Sequence, residues 1–171
     1  MTALIHFLAR RRVTLGFITA LAAIVLAEPT WPSWRYGLAI AIAGEAIRVW
    51  AAGHLEKSRE VTQSGPYRWT RHPLYVGSSV MAAGIVIASR STTLAVLAAV
   101  YMVSTLTAAI RTEEAFLRRT FGDTYDRYAR SQAAAVPRRF SAARVWRNRE
   151  YRAMLGVTLG FALLAAKLLL L

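Results

Sequence analysis

A thirteen-residue segment, GPYRWTRHPLYVG at 65–77, concentrates side chains that could hold or transform a ligand. Its arginines can bind an anion, and its aromatic rings offer flat faces to a ligand. Pro73 restricts the backbone of His72 and suits the first turn of a helix, so the pattern predicts a helix that begins at Pro73. A helix start presents unpaired N–H groups to an anion such as a carboxylate.

A second polar cluster, RTEEAFLRRTFGDTYDRY at 111–128, begins where an apolar stretch ends. Glu113 and Glu114 are adjacent carboxylates near a predicted membrane boundary, where desolvation and mutual repulsion are costly. This cost suits a site that handles a cation or a proton. The alternative is a solvated helix end, in which Glu114 pairs with Arg118 one turn later.

Other polar residues have simpler interpretations. Arg68 and Trp69 are of the types that anchor a protein at a membrane interface. Glu45 and Arg48 lie three residues apart within an apolar stretch, and we expect them to pair with each other, with a cavity lining as the alternative.

Composition favours a membrane protein. Hydrophobic residues make up 56% of the 171 residues, and 22 Lys and Arg outnumber 9 Asp and Glu. Nucleic-acid binding is not favoured, since basic charge alone is weak support for it. The chain has no cysteine, which excludes disulfides, thiolate metal sites and cysteine nucleophiles. The three histidines lack metal-ligand spacing, so we expect no metal.

The apolar pattern predicts an all-α polytopic membrane protein of one domain with about five transmembrane helices. A spanning helix needs about 20 residues, so the first and third stretches are short. The first stretch also resembles a signal peptide, although LAE matches the cleavage pattern poorly. The five stretches are Val13–Ala27, Tyr36–Ala52, Leu74–Ala88, Thr92–Ile110 and Met154–Leu171.

Arginine and lysine positions predict the orientation in an inner or plasma membrane. The N-terminal segment, the 53–73 loop and the 111–152 segment are rich in them, whereas the intervening connections are poor. The pattern places these three regions in the cytoplasm and the C-terminus outside. Residues 138–152 mix arginines with aromatic residues, as an interfacial helix on anionic headgroups does, and 153–171 form the last span.

A two-residue turn, Arg90–Ser91, separates the third and fourth stretches. It makes the two predicted helices antiparallel neighbours, so the start of one lies near the end of the other. The segment at 65–77 and the Glu113–Glu114 pair are therefore predicted to form one site on the cytoplasmic side.

Together these motifs resemble the integral-membrane methyltransferases of the isoprenylcysteine carboxyl methyltransferase and phospholipid methyltransferase superfamily. The signature is RHPxYxG, then a Glu-Glu pair, then FGxxYxxY, and all three occur here in that order, within about 53–137. The resemblance implies S-adenosylmethionine as the methyl donor. Eukaryotic sterol reductases resemble the same region, which leaves a membrane reductase with a nicotinamide cofactor, or a non-catalytic binding protein, as alternatives.

The resemblance also implies roles for individual residues. Catalysis is implied for Glu113, Glu114 and Arg130, although the family's Val-Pro follows its arginine sooner than Val136–Pro137 does here. A lipophilic small molecule or lipid would accept the methyl group, through a carboxylate, an amine or a hydroxyl. Cofactor contacts are implied for Tyr67, Arg71, His72, Pro73, Leu74, Tyr75, Gly77 and Glu113.

Overall fold

The computed structural model describes residues 14–16, 18–19, 21–133 and 136–170, and every regular element in that part of the chain is helical. The all-α prediction is confirmed for these residues. Helix α1 covers Thr14–Leu26 apart from Phe17 and Ala20, which are not described. The later elements are α2 (Trp31–His54), a 3₁₀ turn (Gly65–Arg68), α3 (Pro73–Ser89), α4 (Thr92–Phe121), α5 (Asp123–Ala129), α6 (Ala142–Arg147) and α7 (Tyr151–Leu170).

The helix boundaries follow local capping signals. Helix α2 starts with a capping box, in which the Ser33 N–H donates to Thr30 Oγ1 (3.3 Å) and the Thr30 N–H donates to Ser33 Oγ (3.0 Å). Helix α3 begins at Pro73, as predicted. It ends at Ser89, the following Arg90 turns the chain with a positive φ of 53°, and Ser91 caps α4. The short connection between the third and fourth helices is therefore confirmed.

Glycines bring α2 and α3 into close contact. A Cβ atom on Gly77 would stand 2.6 Å from the Gly44 carbonyl oxygen, and one on Gly84 would stand 2.5 Å from that of Gly37. Neither helix could approach so closely with larger side chains at these positions. The small residues of the second and third stretches thus set the distance between the two helices.

Two described helices, α4 and α7, are long and apolar enough to cross a membrane. Helix α3 has 17 residues and would reach only about 25 Å, short of a hydrocarbon core of about 30 Å. These two helices agree with the predicted membrane location, whereas the number of five spans stays a prediction. The basic residues Arg10–Arg12 and the terminal Leu171 lie outside the described residues.

Helix α7 packs against the start of α2. Trp34 donates its indole N–H to the Phe161 carbonyl oxygen at 2.9 Å, and the two rings meet edge to face. Phe161 and Leu164 are buried there against Ala41 and Ala88. This apolar cluster lies at the opposite end of α2 from the polar residues described next, which leaves the C-terminal end of α2 for the site.

Candidate active site

A cavity of about 890 Å³ opens between the start of α3, the polar end of α4 and the loop at 55–62. Its volume lies within the range of small-molecule sites, about 300–1,000 Å³. The predicted site residues that line it are Tyr67, Arg71, His72, Pro73, Leu74, Tyr75 and Glu113.

The two polar clusters of the sequence meet at this cavity, as the short turn predicts. His72 Nε2 lies 3.2 Å from Glu114 Oε1, and the Tyr75 hydroxyl donates to Glu113 Oε2 at 2.8 Å. The His72 and Tyr75 rings stack with centroids 5.7 Å apart. His72 and Tyr75 therefore each have a glutamate partner on α4.

The Glu114 carboxylate contacts basic side chains. Arg71 Nη1 lies 3.0 Å from its Oε1, whereas Arg118, the partner expected from sequence spacing, is 3.9 Å away. Glu114 lies beyond Ile110, where the apolar part of α4 ends. Burial raises its pKa, but the hydrogen bond with His72 and the charge of Arg71 outweigh burial and hold the pKa of the carboxyl below its usual value. Glu114 is therefore a poor proton acceptor.

Glu113 has fewer charged partners than Glu114. Its side chain is 43% exposed, lines the cavity and makes no arginine pair among the described residues. His72 Nδ1 is buried without a hydrogen bond to any described residue, and Glu113 Oε2 lies 3.9 Å from it. The Glu113 carboxylate is therefore accessible to a ligand, whereas His72 Nδ1 is a buried nitrogen that lacks a hydrogen-bond partner among the described residues.

Three tyrosines form an aromatic wall of the cavity. The Tyr128 hydroxyl donates to the Tyr67 carbonyl oxygen at 2.8 Å, and Tyr125 is fully buried beside them. Burial, followed by the neighbouring Tyr125, raises the pKa of Tyr128 to about 12. Burial and then the charge of Glu113 likewise raise the pKa of Tyr67. Both hydroxyls stay protonated at neutral pH.

The start of α3 offers fewer free N–H groups than the sequence predicts. Pro73 has no N–H, and those of Tyr75 and Val76 donate to the His72 carbonyl oxygen at 3.0 and 3.1 Å. The Leu74 N–H is left without a partner among the described residues. Anion binding at this helix start would therefore depend mainly on the arginine side chain of Arg71.

Sequence reasoning missed Glu150, which lines the cavity and is buried. Arg48 Nε donates to Glu150 Oε1 at 2.6 Å, and its guanidinium also donates to the Leu74 carbonyl oxygen and to Ser78 Oγ. Glu45, the partner expected for Arg48, stands 4.0 Å away. The expected pairing is therefore the weaker one, and Arg48 lines the cavity.

A signal for this pair was present in the sequence. An arginine in an apolar stretch needs an acidic partner, and Glu150 is the one acidic residue of the basic 138–152 segment. Because 102 residues separate them, no spacing rule connects the two. Arg48 thereby joins α2, the first turn of α3 and the start of α7 at the cavity wall.

Three predicted residues lie outside the cavity lining. Gly77 packs against Gly44, Glu114 stands behind Arg71 and His72, and Arg130 is exposed at the end of α5. Their roles in cofactor binding and catalysis stay predictions.

The 55–62 loop forms one wall of the cavity and is held by the basic segment. Arg147 Nη2 donates to both Glu56 carboxylate oxygens at 2.9 and 2.8 Å, and Arg138 contacts Glu60 at 2.7 Å. Burial raises the pKa of Glu56, but the charge and hydrogen bonds of Arg147, together with the charges of Arg138 and Arg144, outweigh burial and lower the pKa below its usual value. Helix α6 has six residues, fewer than the helix predicted across 138–152. Arg138 and Arg147 of the basic segment therefore support the cavity wall.

Comparison with known proteins gives a family match over this region. The family model for phospholipid methyltransferase matches residues 37–124, about half of the chain, which include the RHPLYVG segment and the Glu113–Glu114 pair. A search of the solved structures gave no match. Among the described residues, no three His, Asp or Glu side chains are grouped to hold a metal ion.

Three relatives are similar to this chain. A nickel-cobalt-cadmium resistance protein of Alcaligenes xylosoxydans xylosoxydans is 32% identical over 77% of this chain and 67% of its own length. A cobalt-zinc-cadmium resistance protein of Cupriavidus metallidurans is 29% identical over 80% and 68%. The protein-S-isoprenylcysteine O-methyltransferase of Schizosaccharomyces pombe is 28% identical over 56% and 40%. The first two names describe metal resistance, and the third describes methyl transfer.

Proposed function

Because this chain belongs to the phospholipid methyltransferase family, we propose that it transfers a methyl group from S-adenosylmethionine to a lipophilic acceptor. One observation carries the proposal. The residues of two separate sequence motifs converge on one cavity, where Glu113 is hydrogen-bonded to Tyr75 and stands beside His72.

The charges of the cavity suit the donor. S-adenosylmethionine carries a sulfonium cation and a carboxylate tail, and it supplies an electrophilic methyl group when bound. Glu113 offers a negative charge that no described arginine neutralises. Arg71 is 43% exposed and retains donors for a carboxylate beyond its bond to Glu114. The tyrosine wall offers flat faces for an adenine ring.

Glu113 is the residue that would accept a proton from the acceptor. A protonated amine or a hydroxyl must lose a proton during transfer, whereas a carboxylate acceptor need not. Glu113 lines the cavity and is free of arginine, while Glu114 is held ionised by Arg71 and His72. Glu114 therefore positions these two residues, and Arg130 stays a prediction as a catalytic arginine.

The cavity continues along the apolar part of α4, where Tyr101, Met102, Leu106 and Ala109 line it. An apolar lining of this kind suits a lipophilic acceptor, of the isoprenylcysteine carboxyl or the phospholipid type. The arginine distribution supports a site on the cytoplasmic side, so the donor would arrive from the cytoplasm and the acceptor from the bilayer.

Isothermal titration of the detergent-solubilised protein tests the donor. We expect S-adenosylhomocysteine to bind at micromolar concentration and NADPH not to bind. Binding of NADPH alone would point to the reductase alternative and overturn the proposal. Methyl transfer from labelled S-adenosylmethionine to a panel of lipids is then measured, and donor binding without transfer to any of them would indicate a binding protein.

A further inference from the structure

A groove with a volume of about 320 Å³ lies between the Gly65–Arg68 turn and residues 136–139. It shares no lining residue with the larger cavity. Its volume is at the lower end of the range for small-molecule sites. Its lining residues are Ser64, Gly65, Arg68, Val136, Pro137, Arg138 and Arg139.

The charge of this groove is positive and mostly uncompensated. Three arginines line it and no carboxylate does. Arg138 is neutralised by a two-point contact with Glu60, at 2.7 Å for each nitrogen. The side chains of Arg68 and Arg139 make no hydrogen bond or ion pair with any described residue. Two guanidinium groups therefore remain for an anion, and guanidinium matches a phosphate group in geometry.

The floor of the groove is fixed by its surroundings. Gly65 has a φ of +56°, and a Cβ atom at this position would stand 2.5 Å from the His54 ring. His54 Nδ1 lies 3.1 Å from Ser64 Oγ, which ties the turn to the end of α2. The positive φ and the nearby His54 ring leave room only for glycine at position 65. The turn that ends at Arg68 is therefore fixed against the end of α2.

Exposed apolar side chains surround the two arginines. Trp69, next to Arg68, is 76% exposed and packs against Trp50, and Phe140, next to Arg139, is half exposed. Tryptophan and arginine side by side are typical of a membrane interface, and an anionic headgroup supplies the phosphate there. We propose that the groove binds the phosphate of an anionic phospholipid of the phosphatidylglycerol type through Arg68 and Arg139.

This assignment changes which arginines meet the headgroups. The sequence assigns that role to the whole 138–152 segment. In the structure Arg138, Arg144 and Arg147 pair with Glu56 and Glu60 instead. Arg139 has no carboxylate partner among the described residues, and it lines the groove together with Arg68, which lies outside the segment.

Native mass spectrometry of the detergent-solubilised full chain tests the site. Dioleoylphosphatidylglycerol, dioleoylphosphatidylcholine and inorganic phosphate are the probes. The double variant Arg68→Gln/Arg139→Gln should bind the phosphatidylglycerol about thirtyfold more weakly, since each arginine near a membrane surface contributes about 1 kcal/mol. The control Arg111→Gln/Arg152→Gln removes the same charge from exposed positions outside the groove and should lose much less affinity than the groove variant.

Equal loss of phosphatidylglycerol in both variants would overturn the proposal, because it would indicate non-specific attraction. Unchanged binding in the groove variant, with its thermal midpoint intact, would also overturn it. Inorganic phosphate that binds as tightly as the lipid would show a site for free phosphate instead. None of these measurements depends on methyl transfer, so the two proposals can fail separately.

Discussion

The substitution Glu114→Gln keeps the size of the side chain and removes its charge. In the structure this carboxylate holds His72 at 3.2 Å and Arg71 at 3.0 Å, and it does not itself line the cavity. The substitution therefore acts on a ligand only through the two residues that Glu114 positions. We expect it to weaken the binding of S-adenosylhomocysteine.

The magnitude follows from the two contacts. The bond with His72 survives as a neutral hydrogen bond, which costs about 1 kcal/mol relative to a charged one. Arg71 loses an ion pair, and because its side chain is 43% exposed, that pair is worth at most about 1 kcal/mol. The sum is about 1–2 kcal/mol, which corresponds to about a 5- to 30-fold rise in the dissociation constant.

Isothermal titration with S-adenosylhomocysteine measures this change, with Arg118→Gln as the control. Arg118 lies 3.9 Å from Glu114 and is 52% exposed, so its loss should alter affinity less than twofold. A double-mutant cycle of Glu114→Gln with Arg71→Gln should be less than additive, because both remove the same pair. Unchanged affinity in a folded Glu114→Gln protein, or an additive cycle, would refute the reasoning.

Three further substitutions test other parts of the structure. Tyr75→Phe removes the hydrogen bond to Glu113 and keeps the ring, so we expect turnover to fall about fivefold, the effect of about 1 kcal/mol, in a methyl-transfer assay. Gly84→Ala should lower the free energy of unfolding by about 1–3 kcal/mol in a denaturant titration, whereas Gly160→Ala, with open space around it, should not. Because the folded-state pKa of Glu56 is depressed, its ionised side chain stabilises the protein above about pH 4.5, and this stabilisation is lost as the pH falls further. The difference in thermal midpoint between wild type and Glu56→Gln should therefore disappear at acidic pH.

The sequence predicts most of the helices and the meeting of the two motifs. Pro73 marks the start of α3, and Arg90–Ser91 forces α4 to return beside it. These are local signals, because a proline or a short turn restricts the backbone within a few residues. The contact between His72 and Glu114 follows from them although the two residues are 42 positions apart in the sequence.

The sequence does not predict the contacts that the basic segment makes. Arg144 and Arg147 can bind lipid, solvent or a distant carboxylate, and their spacing is the same in each case. Only the folded path of the chain brings them to Glu56, across 88 and 91 residues. The same limit applies to Arg48, whose near neighbour Glu45 is a poorer partner than Glu150.

The two adjacent glutamates have different partners because a helix separates consecutive side chains by about 100°. Glu114 therefore faces Arg71 and His72, while Glu113 faces Tyr75 and the cavity. A carboxylate that positions basic residues must stay ionised, whereas one that accepts a proton must be free to change charge. One glutamate could not meet both demands at one pH. Under the proposed function, the Glu-Glu pair is a fixed anion beside a proton acceptor.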